Sequence, residues 1–418
     1  MSAPETREMR LPKPRLLVVP HIYAENISVR EIEFARRLTR HFDTYCLAWK
    51  DALHLDGPRS LGRRWRQFRT AVGSALSRTR LQRREDEITY VRAPVWQPLL
   101  LQRFTGARRA LDLCRSANGR TLERIVRTCG ITHILLSGAD FSLPKVRGVK
   151  SFFDVVDWIP EDDLPAEKTA LEREHVRCMA AEAEGVFAVS EPLAEKLAAD
   201  CGIRAVPLPN GADLANLHSV PPSRVAELRR RLGLEGKFVI GYVGNLGSYT
   251  GVDFLLDVLR AARRRIPEAA LLLVGPAEYW RERIEAARGE GVVWTEAVAP
   301  REVAAYFNAL DVGVLAQEKT LGTELAFQIK VVEYSACRKF VVSTPLRTWE
   351  RLAWPNVFLT ELRVEGWVDA LVRARRSEWR TEWDALVELY DWNTLADRIA
   401  SVMLEGKVPA AEALPCAS

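Results

Sequence analysis

The sequence predicts an α/β protein built of two doubly wound domains that face each other across a cleft. Three observations carry this. Short β-like runs alternate with helical stretches, which means parallel sheets covered by helices on both faces. The alternation stops at "VPLPNGADLANLHSVPPS", residues 206–223, rich in Pro, Asn and Gly, and then starts again. The chain has 418 residues, beyond the size at which a single core stops growing.

The elements follow in order. "RLLVV", 15–19, is the first strand. In "NISVREIEFARRLTRHF" the residues Ile27, Ile32, Phe34, Ala35 and Leu38 fall on one face of a helix. The runs "TYCLAW", "ITYVRA", "HILLSG", "SFFDVV" and "GVFAVS" read as further strands, and Ser190 in the last of them fits a helix N-cap. After the break, "FVIGYVG" (238–244) leads into "GVDFLLDVLRAARRR", and "ALLLVGP" (270–276) into "AEYWRERIEAARGEG". "DVGVLA" (311–316) leads into a helical segment at 327–337, and "FVVSTP" into "LRTWERLA". The expected division is a first domain over 1–212, a second over 213–390, and a terminal helix and tail over 391–418 that cross back to the first.

Composition sets limits. Hydrophobic residues make up 48% and charged residues 28%, ordinary for a globular protein, and a net charge of +5 is too weak to name a partner. The cysteines Cys46, Cys114, Cys129, Cys178, Cys201, Cys337 and Cys416 include no C-x-x-C pair. An odd, dispersed set in a chain with a large core suggests reduced thiols. The start, "MSAPETREMRLPKP", lacks the apolar core of a signal peptide, and no apolar run approaches a membrane span. The expectation is a cytoplasmic protein, free to lie on the inner face of a membrane.

In open α/β sheets ligands bind beyond the carboxyl ends of the strands. The loop "QEKTLGTEL" leaves the strand at 311–316, and the helix after it carries Lys330 and Glu333 near its start, facing the expected cleft. Ile329, Val332 and Ala336 have the spacing of a buried face, which leaves Lys330 and Glu333 together on another. A lysine beside free helix N–H groups makes an anion site, and phosphate is the usual guest. A carboxylate one turn on only accepts hydrogen bonds and suits paired sugar hydroxyls. Phosphate beside ribose means a nucleotide. The competing reading is an i,i+3 ion pair on a solvated helix, stabilising by about 0.2–0.5 kcal/mol.

Taken together, "FVIGYVGNLGSYTGVDFLLDVL", "ALLLVGP", "FQIKVVEYSACRKFVVSTP", "GVFAVSEPLAEKL", "VPLPNGAD" and "YDWNTLADRIASVML" resemble, in order and spacing, a GT-B glycosyltransferase of the family-4 group that builds bacterial polysaccharides and glycoconjugates. The resemblance covers about 150–405, with weaker support over 15–50. It implies two Rossmann-like domains, an acceptor-binding one followed by a nucleotide-sugar-binding one. It implies transfer of a sugar from a nucleoside-diphosphate donor, a UDP-sugar by expectation, to a glycan or lipid-linked acceptor. The donor set it implies is Gly244 and Asn245 of the glycine loop with Glu324, Gln328, Lys330 and Glu333. Family membership implies retention of configuration. Two features depart from the family. Asn245 and Thr250 stand where an arginine and a lysine often hold the diphosphate, which leaves Lys330 to take over that contact. The first of the paired glutamates, normally eight before the second, falls at Leu325, with Glu324 the nearest acid.

Transfer also needs the acceptor hydroxyl held and deprotonated. In "SFFDVVDWIPEDD" the strand runs into Asp157 at its cleft end. That acid either orients and deprotonates the acceptor, a role that leaves inversion open, or caps a turn. Asp154 reads as structural and Trp158 as packing. Glu161, Asp162 and Asp163 read as a solvated loop or helix start rather than a metal site, and no bound metal or cofactor is expected. His21, Glu25 and Asn26 follow the first strand and are placed to line the cleft. On the acceptor side, Arg59, Arg63, Arg64, Arg66, Arg69, Arg78, Arg80, Arg83 and Arg84 fall within 59–84 with no acid among them up to Arg84. Leu61, Trp65, Phe68, Val72 and Leu76 repeat there at helical spacing. This basic amphipathic segment suits an anionic membrane surface, or it is a solvated helix whose apolar side packs on the first domain. No RNA-binding signature accompanies it, and no nucleic-acid partner is expected. The rival functions are a nucleotide-sugar epimerase of the same layout and a catalytically inactive GT-B scaffold.

Overall fold

A computed structural model describes residues 12–21, 30–49, 61–83, 87–137, 141–158 and 166–406. The first lobe holds eight strands: β1 (Arg15–Val19), β2 (Asp43–Ala48), β3 (Arg80–Arg83), β4 (Thr89–Arg92), β5 (His133–Leu136), β6 (Lys150–Val155), β7 (Gly185–Ala188) and β8 (Val206–Pro207). They lie in the order β3-β4-β2-β1-β5-β6-β7-β8, all parallel except the β3–β4 edge pair. The second lobe holds β9 (Phe238–Val243), β10 (Ala269–Val274), β11 (Val292–Trp294), β12 (Val312–Leu315), β13 (Phe340–Ser343) and β14 (Val357–Leu359). Their order, β11-β10-β9-β12-β13-β14, is all parallel and reverses direction between β9 and β12. The central strands are buried along their length because helices cover both faces, hence their unbroken Val, Leu and Ile runs.

Two parts of the sequence reading change. The basic segment is not one helix: Leu61–Ala75 is helical, and Arg80–Arg83 is an antiparallel edge strand. Its side facing the protein is Ala71, Ser74 and Ala75, whereas Trp65, Phe68 and Leu76 stand 70%, 47% and 73% exposed. Trp65, Phe68 and Leu76 of the apolar stripe therefore do not pack on the first lobe. The stretch 206–223 is also more than a linker, since it contains β8 and the helix Leu214–His218. Asp213 caps that helix by accepting from the Asn216 N–H.

The chain crosses between lobes at 212 and returns at 391, and the two crossings lie side by side. Ala212 N–H donates to Tyr390 O at 2.9 Å, and Trp392 N–H donates to Ala212 O at 3.1 Å. The terminal helix Trp392–Glu405 then packs on helix Arg30–Leu38 of the first lobe, with Trp392 edge-on to Phe34 at 5.1 Å.

Candidate functional site

The site begins at the point where the second sheet reverses. β9 and β12 pair through Ile240 with Val312 and Gly241 with Gly313, at the point where the strand order reverses; open α/β sheets bind ligands beyond the carboxyl ends of strands at such a point. Helix Ile329–Ala336 lies against that opening. Tyr334 anchors it: its ring fills the space where a Gly313 side chain would be, and its hydroxyl accepts the Val243 N–H at 3.3 Å.

Anchoring in this register puts Lys330, second residue of the helix, over the end of β9. Its Nζ lies 5.5 Å from the centre of the Tyr242 ring. Gly244 has φ +145°, and a Cβ there would lie 2.5 Å from Lys330 Nζ. Glycine is needed there for the backbone turn, and its missing side chain also leaves the space the ammonium occupies. Lys330 and Glu333 form no ion pair with each other or with another described residue, so the surface-pair reading fails. Glu333 is half-buried, and burial raises its carboxyl pKa despite the opposing pull of Lys330.

The other expected donor residues divide. Asn245 is exposed beside Gly244, and its carbonyl accepts from Tyr242 Oη at 3.2 Å. Glu324 is held by Arg347 at 2.9 Å. Gln328 corrects the reading of it as a donor contact. It is buried at the helix N-cap, its Nε2 donates to Thr323 O at 2.7 Å, and its Oε1 accepts from Trp349 Nε1 at 2.8 Å. It shapes the turn rather than facing the crevice. Thr250 is likewise internal, donating to Gly247 O at 2.7 Å.

The first lobe pins the same segment. Ser190 caps its own helix by accepting from the Leu193 N–H and donates to Leu325 O at 2.5 Å. Asn210 Nδ2 donates to Phe327 O at 3.1 Å. Asn210 is itself held by Arg30, which pairs in the buried interior with Asp154 through Nε–Oδ2 at 2.9 Å and Nη2–Oδ1 at 3.1 Å. Asp154 is thus structural, as its place inside the strand suggests.

Asp157 follows β6 and is exposed as a residue, but the first lobe crowds its carboxyl. Burial raises its pKa; His21 and Arg30 oppose the rise and Glu31 adds to it. His21, after β1, donates its N–H to Glu31 Oε1 at 3.0 Å, and its Nδ1 hydrogen-bonds the same oxygen. Burial favours neutral His21, yet Glu31, then Asp157 and Asp154, outweigh it and raise the imidazole pKa. Glu31 is fully buried, its Oε2 has no hydrogen-bond partner among the described residues, and His21 holds its pKa down against burial. The sequence reading missed Glu31. The available signal was an acid in the first turn of the helix after β1. Glu25, Asn26 and 161–163 lie outside the described residues.

The phenol of Tyr249, on the loop after β9, senses both Lys330 and Asp157; its pKa is raised first by burial. A cation over a backbone gap on one lobe and a carboxylate–imidazole cluster on the other can hold an anionic donor and take a proton from a hydroxyl. Among the described residues, no cluster of three or more His, Cys, Asp or Glu is placed to hold a metal ion.

Comparison with known proteins agrees with this layout. The family described as "Glycosyl transferases group 1" matches residues 237–376, inside the second lobe. A GDP-mannose-dependent alpha-(1-6)-phosphatidylinositol monomannoside mannosyltransferase of Mycolicibacterium smegmatis is 31% identical over 189 residues, 43% of this chain and 48% of that protein. The putative teichuronic acid biosynthesis glycosyltransferase TuaH of Bacillus subtilis is 29% identical over 30% of this chain and 31% of its own length. The chain spans about half or less of the curated relatives it matches. Solved structures match far more of it. Sucrose-phosphate synthase from Thermosynechococcus elongatus superposes with a TM-score of 0.66 at 14% identity, over 93% of this chain and 98% of that one. HepE of Anabaena, in complex with UDP and glucose, does so at 0.64 and 16%, over 93% and 98%. The chain has the GT-B fold, and residues 237–376 of its second lobe match the group 1 glycosyl transferase family.

Proposed function

We infer that the protein transfers a sugar from a nucleoside-diphosphate donor, a UDP-sugar, to a hydroxyl of a glycan or lipid-linked acceptor. The observation that carries this is Lys330, a cation held over Gly244 at the end of β9 with no ion-pair partner among the described residues. As the bond to the sugar breaks, negative charge grows on the leaving diphosphate. Lys330 and the helix N–H groups beside it stabilise that charge where it develops. Glu333, one turn on, is placed to accept from ribose hydroxyls. Asp157, with its raised pKa, sits opposite as the group to orient or deprotonate the acceptor hydroxyl. The protein works in the cytoplasm. Helix Leu61–Ala75 favours the inner membrane face as the place of work, since Trp65 and Phe68 stand exposed beside Arg66 and Arg69.

The test is a titration of UDP, GDP and ADP into the wild type and Lys330→Ala. A charge-assisted hydrogen bond contributes about 1.5–3 kcal/mol, so the variant is expected to bind UDP roughly ten- to a hundredfold more weakly. Equal affinity in the two proteins sinks the donor-site reading. Binding without sugar turnover on any UDP-sugar leaves a scaffold.

A further inference from the structure

His21 and Asp157 leave the same edge of the first sheet. β1 and β6 both pair with β5, with Val19 level with Leu136 and Leu136 level with Phe153. The two residues follow the carboxyl ends of those strands, the edge at which open α/β sheets bind ligands. Their charges act on each other, and the Asp157 charge also reaches Tyr249 of the second lobe.

Of the two, His21 is the one that is aimed. Asp157 makes no hydrogen bond to another described residue, so nothing among them fixes the direction of its carboxyl. His21 is tied twice to Glu31, in the first turn of helix Arg30–Leu38. Its main-chain N–H donates to Oε1 at 3.0 Å, and its Nδ1 bonds the same oxygen. Glu31 is fully buried, and the imidazole is 26% exposed. An ionised carboxylate only accepts, so Nδ1 carries the hydrogen and the neutral ring keeps its lone pair on Nε2. Nε2 has no hydrogen-bond partner among the described residues, and it is not one of their buried polar atoms. An imidazole whose other nitrogen is held by a carboxylate is the arrangement that activates a hydroxyl.

The surroundings also suit the protonated product. Burial, the largest influence, favours the neutral ring. Glu31 of the helix, with Asp157 and Asp154 of β6 and its end, outweighs it and lifts the imidazole pKa from 6.5. Arg30 already holds Asp154. A base is most effective when it titrates near the working pH, and an imidazole so placed meets that condition.

We propose that His21 is the catalytic base of the transfer and Glu31 its positioning residue, an inference that rests on the donor-site reading above. The acceptor O–H bond breaks and its proton passes to His21 Nε2. The freed electron pair on oxygen forms the bond to the anomeric carbon. The bond from that carbon to the diphosphate oxygen breaks, and its electron pair leaves with the nucleoside diphosphate. The imidazolium, steadied by Glu31, then returns the proton to solvent. Asp157 orients the acceptor hydroxyl.

The experiment follows UDP release from UDP-glucose, UDP-galactose and UDP-N-acetylglucosamine, with water as acceptor, over about pH 5 to 9, beside a titration of UDP. UDP affinity reports the donor site and the folded state; the pH profile of kcat reports the base. His21→Gln is expected to bind UDP like the wild type, to lose about 10²–10⁴-fold in kcat, and to lose the acidic limb of the profile. Glu31→Gln removes a charge that raises the imidazole pKa, so its acidic limb is expected to move to lower pH. A His21→Gln protein that keeps the wild-type rate or the acidic limb overturns the assignment. So does a Glu31→Gln protein whose limb stays in place, or a wild type that binds UDP but releases none from any donor. Each of these leaves the donor site standing, whereas a wild type that binds no UDP sinks the donor-site reading itself.

Discussion

A lysine ammonium set over a glycine backbone and a tyrosine ring is a charge placed by packing, not by a counter-ion. Its neighbour one turn on, Glu333, feels the pull of that charge but forms no ion pair with it. His175 shows the converse, a titratable group that packing strips of its charge. Burial, then the Arg115 guanidinium, pushes its imidazole pKa down from 6.5 to about 3. The sign for stability follows. Below pH 6.5 the unfolded chain takes a proton that the folded chain refuses until about pH 3, so acid favours unfolding. Stability from this group is complete above 6.5 and falls by about 1.4 kcal/mol per pH unit below it. Urea unfolding at pH 7.5 and 5.5 is expected to show that the wild type loses about 1.4 kcal/mol more between the two than His175→Gln does. Equal losses in the two proteins contradict a neutral buried imidazole. No sequence pattern marks His175 out, because what makes it unusual, burial and the Arg115 guanidinium, comes from other elements.

Elements were more legible than their orientations. The strands of both sheets announce themselves as apolar runs, but three edge strands, β8 of the first sheet and β11 and β14 of the second, are only two or three residues long and carry no period. Helix Leu61–Ala75 shows the limit of periodicity. The spacing of Leu61, Trp65, Phe68, Val72 and Leu76 gives a helix, and the natural inference is that large apolar side chains face inward. The small residues Ala71, Ser74 and Ala75 pack instead, since they let the helix approach closely. Trp65 and Phe68, with ring centres 5.8 Å apart, are left outside among exposed arginines. That arrangement is suited to headgroups, with about 1 kcal/mol for each arginine near an anionic surface. Co-sedimentation with phosphatidylglycerol vesicles at low salt is expected for the wild type, weakening as salt screens the charge. Trp65→Ser with Phe68→Ser should leave most of the protein in the supernatant. A wild type that stays in solution at low salt removes the membrane reading.

At the scale of the whole molecule, the sequence marks a break near 206–223 and a final helix, but not that the two crossings pair at 212 and 391. That contact joins residues far apart in the chain. The same holds for Ser190 and Asn210, polar residues of the first lobe that hydrogen-bond the carbonyls just before the Lys330 helix. The position of Lys330 is thus set in part by the first lobe. The terminal helix extends the dependence. Its Leu395, Ala396, Ile399, Ala400 and Met403 close a core built on Leu16, Val18, Phe34 and Leu38, so the first residues of the fold are completed by the last. Ile399 is fully buried there. Truncating such a side chain to alanine costs about 2–5 kcal/mol through lost burial and the cavity left behind. Ile399→Ala is therefore expected to lower urea stability by that amount. Hydrogen exchange should quicken in β1 and helix Arg30–Leu38, some 360 residues away in sequence, while β9, β10 and β12 keep their protection. Loss of protection in the second sheet instead would mean that the terminal helix supports the lobe it leaves rather than the one it reaches.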